Sequence, residues 1–253
     1  MATMRTRGFT IIEVVLFVTI SGTLAVLLAT GWTGMLNTQR YRDSVNTFQS
    51  YIQQQYNLVY NVENAREGND KKCVKNGISG APQVQSVAGD YRGKADCVLL
   101  GRYIFIDGGK TATSYPIMGV EPDSPTASTT EAAVIGDYNP RVVTSGLADL
   151  NISESSMTLP WDATIVDPGT TDSRTIGIAI IRSPQTGIAH TYTKAETVLS
   201  ENPFGTLVND ANENEQRLCI DPGAILAGGN RAVVFRASAS SQSSIESEQD
   251  STC

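Results

Sequence analysis

One histidine, His190, stands among 253 residues, and no two cysteines have the Cys-x-x-Cys spacing of a zinc knuckle or thioredoxin site. With a single imidazole, no Ser/His/Asp or Cys/His catalytic set and no mixed His/Cys metal site is supported. His190 follows Ile188 and Ala189 in a predicted hairpin strand and reads as an ordinary surface or turn histidine. Charge is also scarce, at 18% of residues, and the balance is acidic at -7. Beyond the first segment the basic residues are scattered, so the body offers no electrostatic footprint for nucleic acid. Proline is missing from residues 9–81, and charge is missing from residues 14–39. The first absence allows a long helix, and the second allows that helix to enter lipid.

Three short patterns imitate binding motifs and lack a necessary part. Gly108-Gly109-Lys110-Thr111 ends like a phosphate-binding loop, but the upstream glycine of that motif would fall at Ile104, so the segment reads as a hairpin turn. Asp210, Asn212, Asn214 and Asp221 count as positions 1, 3, 5 and 12 of a calcium loop. Glu215 stands where the sharp turn needs glycine, and the run reads as a polar acidic loop. Asn151-Ile152-Ser153 fits a three-residue glycosylation sequon and carries little weight. No catalytic residue, cofactor or metal is expected, and the chain does not read as an enzyme.

What is present begins with MATMRTRG, in which Arg5 and Arg7 precede an apolar run, VVLFVTISGTLAVLLATGW, at residues 14–32. A helix of about 20 residues crosses the roughly 30 Å hydrocarbon layer, and the basic leader would stay cytoplasmic. A secretory signal peptide, cleaved near Thr30–Gly31, is the competing reading. Glu13 argues against it, because a carboxylate inside an apolar stretch is costly and usually has a partner. A further alternative for Glu13 is an acid at headgroup level that reaches back to water.

Residues 5–14, Arg-Thr-Arg-Gly-Phe-Thr-Ile-Ile-Glu-Val, resemble the processing site of type IV pilins and of the related pseudopilins of secretion and competence systems. The resemblance covers about 30 residues and joins a basic leader, Gly8, Phe9 and an acid at a fixed offset. It implies cleavage between Gly8 and Phe9 by a membrane peptidase that also methylates the new amine. Phe9 would then be the first residue and Glu13 the fifth. In a bundle of such helices, Glu13 of one subunit would neutralise the Phe9 amine of its neighbour, so that two charges costly to bury alone are buried together.

Tyr41, Val45, Phe48, Ile52, Tyr56 and Val59 recur at steps of three and four and form one amphipathic face. One helix over residues 9–61, roughly 80 Å long at 1.5 Å per residue, is the simplest reading. Gly31 and Gly34 are its candidate soft points. The family resemblance implies an α+β fold in which this helix packs on an antiparallel β-sheet. The expected divisions are a leader (1–8), a membrane or filament-core helix (9–33), its amphipathic continuation (34–61) and a β-rich head (62–253).

Within the head, residues 61–96 read as loop, and strands are expected at 97–106, 115–120, 132–135, 157–161, 175–182, 188–193, 217–220 and 232–237. The polar tail reads as irregular unless a disulfide ties it down. The runs 218–221 and 231–235 resemble the final strand pair of H-type minor pseudopilins. Cys73, Cys97, Cys219 and Cys253 allow three pairings, and the sequential one closes the two shortest loops. Disulfides would suit an oxidising compartment, while four reduced thiols are the alternative.

The resemblance therefore implies a structural subunit, by its body size a minor one, of a filament serving motility, adhesion or DNA uptake. A secretion pseudopilin shares every N-terminal feature, and a single-pass membrane-anchored binding protein is the alternative from another class. Expected partners are the prepilin peptidase and methylase, other pilin subunits, the assembly platform in the cytoplasmic membrane, and membrane lipid before assembly. Nucleic acid is expected only for a DNA-uptake pilus. The expected location is the cytoplasmic membrane, then a surface filament.

Overall fold

The computed structural model describes residues 10–61, 71–86, 96–124, 130–144, 154–223 and 230–253. The first element, α1, runs without a break over Ile11–Tyr60. At about 1.5 Å per residue it is about 75 Å long. Thr10 stands at its N-cap, and Asn61 closes it with a backbone N–H to the Asn57 carbonyl. Gly31 and Gly34 lie inside the helix and do not interrupt it.

Three antiparallel sheets follow, where the sequence suggested one. A hairpin of β1 (Lys71–Lys75) and β2 (Pro82–Ser86) forms its own two-stranded sheet, packed through Cys73 and Val84 on Met118 and Leu99. A six-stranded sheet is built from β3 (Cys97–Asp107), β4 (Thr111–Val120), β5 (Arg141–Val142), β6 (Ser155–Thr158), β8 (Ile176–Arg182) and β9 (Ala189–Ala195). Its order is β5-β4-β3-β8-β9, with β6 beside β5 on the outer edge of β4. The third sheet, in order β12-β11-β10-β7, contains β7 (Thr164–Val166), β10 (Gln216–Asp221), β11 (Arg231–Phe235) and β12 (Ile245–Gln249). Short helices α2 (Glu131–Asp137) and α3 (Phe204–Leu207) cover the far face of the large sheet.

The second half of α1 joins the two larger sheets. All six residues of the expected stripe, Tyr41, Val45, Phe48, Ile52, Tyr56 and Val59, are buried. They share one core with Ile104 and Ile106 of β3, Ile176, Ile178 and Ile180 of β8, Leu218 and Ile220 of β10, and Val233 and Phe235 of β11. Tyr103, Phe105, Ala179 and Ile181 point the opposite way, into a second core under α2 and α3. Both faces of β3 and β8 are therefore buried, which explains why these strands read as continuous apolar runs with no alternation. Asp107 to Lys110 forms the β3–β4 turn, with Gly108 and Gly109 at positive φ. A Cβ on Gly109 would run into the Ile165 carbonyl oxygen, so the GGK segment is a packed turn.

Four local expectations need correction. Residues 71–86 are a hairpin inside the stretch expected to be loop; Asn76 accepts the Ile78 and Ser79 N–H groups at its tip. Residues 132–135 lie in α2, capped by Thr130 through the Ala133 N–H, where a strand was expected. The strand expected at 157–161 ends at Thr158 in β6, and Pro160–Asp162 forms a 3-10 turn. The tail, expected to be irregular unless a disulfide tied it down, is tied by Cys219–Cys253 and holds β12, paired along its length with β11. The β10–β11 pair is thus followed by a further strand and does not end the fold.

Candidate assembly site

Arg5, Arg7, Gly8 and Phe9 lie outside the described residues. Glu13 is described, exposed in the first turn of α1, with its backbone N–H donating to Thr10 Oγ1 at 3.3 Å. Thr10 and Glu13 thus occupy the N-cap and third helical position of the Thr-x-x-Glu capping pattern. A carboxylate there also suits the positive end of the helix dipole. This local role was legible as Thr10-x-x-Glu13, yet the spacing drew attention only as an offset from Phe9.

From Ile11 to Leu36 the helix shows apolar side chains on every side, Ile11, Ile12, Phe17, Leu24, Leu28, Trp32 and Met35 among them. Its most apolar 18-residue window has a mean hydropathy of 2.4 and no buried residue, so the helix is long and apolar enough to cross a membrane. Two of its hydroxyls bond within the helix: Thr19 donates to the Val15 and Leu16 carbonyls, and Thr23 to Ile20. Polar groups satisfied in this way need no water.

At Tyr41 the surroundings change within one turn. The Tyr41 hydroxyl donates to the Ile220 carbonyl and accepts the Arg231 N–H, each at 2.7 Å. Burial pushes this phenol above its ordinary value against the Arg231 contact, so it stays a donor. Ser44 donates to the Pro160 carbonyl at 2.7 Å. Tyr51, pushed up to about 12 by burial, donates to the Ser155 carbonyl. Tyr56 is raised further by burial and pairs with Thr191 at 2.6 Å. These polar pins set the height and rotation of the helix against the head.

Beside Ser44, the 3-10 turn Pro160–Asp162 carries two non-glycine residues at positive φ, Trp161 (61°) and Asp162 (59°). The left-handed region costs an L-residue roughly 1–2 kcal/mol, so contacts must hold the turn open. The Trp161 Nε1–H donates to Asp43 at 3.2 Å, the Arg40 guanidinium lies 4.8 Å from its ring centre, and Lys110 pairs with Asp162 at 2.9 Å. Sequence reading did not single out this cluster. Its three partners come from distant positions, and no local spacing announces it.

The cysteines pair as Cys73–Cys97, joining the small hairpin to β3, and Cys219–Cys253, tying the last residue to β10. The second crosslink is reinforced by Asp250, which accepts from the Thr252 hydroxyl, the Thr252 N–H and Arg217. These bonds draw the Asp250 carboxyl down to about 2. His190 lies on β9, half-buried, with Nδ1 3.1 Å from Glu213. The calcium-like run is used locally: Asn212 donates to the Thr206 and Leu207 carbonyls, and Asn214 to Ala211. Among the described residues no group of three His, Cys, Asp or Glu side chains is placed to hold a metal ion. Asn151, Ile152 and Ser153 lie outside the described residues.

Against known proteins, no family model, no curated protein and no solved structure matches this chain.

Proposed function

We propose that this protein is a structural subunit of a type IV pilus-like filament, processed after Gly8 and assembled through the first half of α1. One observation carries the reading. A single uninterrupted helix is apolar on all sides at its N-terminal end and buried along one stripe at the other. The first half suits lipid before assembly and the neighbouring subunits' helices afterwards. The second half holds the head rigidly on the same rod. The motif around Gly8, Phe9 and Glu13 adds the chemistry: the cleaved Phe9 amine and a neighbour's Glu13 neutralise each other only when subunits are in register. The head, with its hydroxyl-rich surface, faces outward, and the size of the body favours a minor subunit. Glu13→Val tests the assembly step. Processing is expected to continue while incorporation into filaments stops; normal incorporation would remove Glu13 from assembly.

A further inference from the structure

Trp161 belongs to the head but lies at the level of Arg40, the first charged residue after the apolar half of α1. From Glu13 to Arg40 there are 27 helical steps without another charge. At about 1.5 Å each they span about 40 Å, close to the roughly 40–45 Å of a bilayer with its headgroups. With Glu13 at one surface, Arg40 therefore reaches the opposite headgroup layer. The turn bearing Trp161 is pinned at that height by Ser44 to Pro160 and by Leu159 N–H to the Lys110 carbonyl. The opposite end of the head lies far along the helix, where Tyr60 bonds Ser240 and Ala189.

We propose that the head has a second contact with the membrane beside its helix: the Pro160–Asp162 turn seats Trp161 in the phospholipid headgroup layer, under Arg40. The inference rests on residues 14–39 crossing the bilayer. An indole suits that layer because its ring tolerates the apolar side and its polar edge is satisfied, here by Asp43. Trp161 is 47% exposed, although an apolar core is available to the rest of the head. The left-handed backbone at Trp161 and Asp162 keeps it outward. Of the charges at this end, Asp43 and Asp162 are engaged by Trp161 and Lys110. Arg40 stays above the ring, where a lipid phosphate fits. Two fixed points, a helix and a loop, would set the azimuth of the head on the membrane as well as its height, before the subunit is handed to a filament.

The chain has two tryptophans, so each can be read alone. Trp32→Phe alters only the exposed apolar half and leaves Trp161 in a native head; Trp161→Phe leaves Trp32, eight residues before Arg40 and about 12 Å deeper. Each full-length variant is placed in phospholipid vesicles carrying bromines near the headgroups or deep in the acyl chains, and is also titrated with acrylamide. Trp161 is expected to be quenched most by shallow bromines and to emit to the blue of an exposed indole. Trp32 is expected to respond to the deep ones. Trp161 quenched by acrylamide alone, with Trp32 still quenched by lipid, overturns the headgroup contact and leaves the membrane span standing. Trp161 shielded from both quenchers also overturns it, and points to cover by a second copy. Neither tryptophan responding to lipid overturns the span itself.

Discussion

The two halves of α1 are made of one continuous backbone and obey different rules. Around Phe17 every direction is apolar and exposed, whereas around Phe48 one stripe is buried and the rest faces water. The difference lies in what each half lacks. Residues 14–39 have no charge to orient them, so the protein itself gives them no inner and outer face. Residues 41–59 alternate apolar and polar groups at helical spacing, which fixes one rotation against the sheets. Tyr41, Ser44 and Tyr56 then fix the height by bonds to the head. Helical structure alone does not distinguish an apolar surface left exposed from one already buried. The pattern of side chains does.

The largest expected effect separates the halves directly. Phe48→Ala should cost the head about 3–5 kcal/mol through lost burial and a cavity. Phe17→Ala should change head stability by no more than about 0.5 kcal/mol. Denaturant unfolding of full-length protein in detergent, followed by near-ultraviolet circular dichroism, measures both. Equal losses would mean that the first half packs on the head. Next come the crosslinks. Removing Cys73–Cys97 or Cys219–Cys253, with sequence separations of 24 and 34, should each destabilise the head. Loop-closure entropy puts the loss at about 3–4 kcal/mol. Amide exchange within residues 14–32 should not change, since neither bridge touches that half.

The smallest effect is a pH dependence confined to the head. Bonds from Thr252 and Arg217 hold Asp250 at about 2, below the roughly 3.9 of an unfolded aspartate. A depressed carboxyl stabilises the fold above its unfolded value, and that contribution fades as pH falls through the interval toward 2. Asp250→Asn should flatten acid unfolding in that interval. An unchanged acid profile would mean that the C-terminal clamp does not contribute.

Much of the architecture was legible because burial leaves periodic marks. The 41–59 stripe marked the amphipathic half of α1, and the apolar runs marked β3 and β8 as strands. Helix on sheet was only what the family resemblance implied, and burial of both sheet faces was not foreseen. Other elements left weaker marks. Ala132, Ala133, Val134 and Ile135 are too few to display a helical period, and the useful signal was the cap at Thr130. In β1 the lysines hid a strand, because that hairpin has little core to face. In β12 only Ile245 turns fully inward, so the strand looked like polar tail. Of the site, Glu13 was visible by its offset, while the Trp161–Arg40–Asp43 cluster joins residues far apart in the chain. Such a cluster becomes visible only when the fold brings it together.

How the chain begins once it is mature tests the proposed processing most directly. Co-expressed with a prepilin peptidase and examined by mass spectrometry, the protein, if processed as proposed, should start at Phe9 and carry one added methyl group. A start near Thr30–Gly31, or an uncleaved leader, would contradict it.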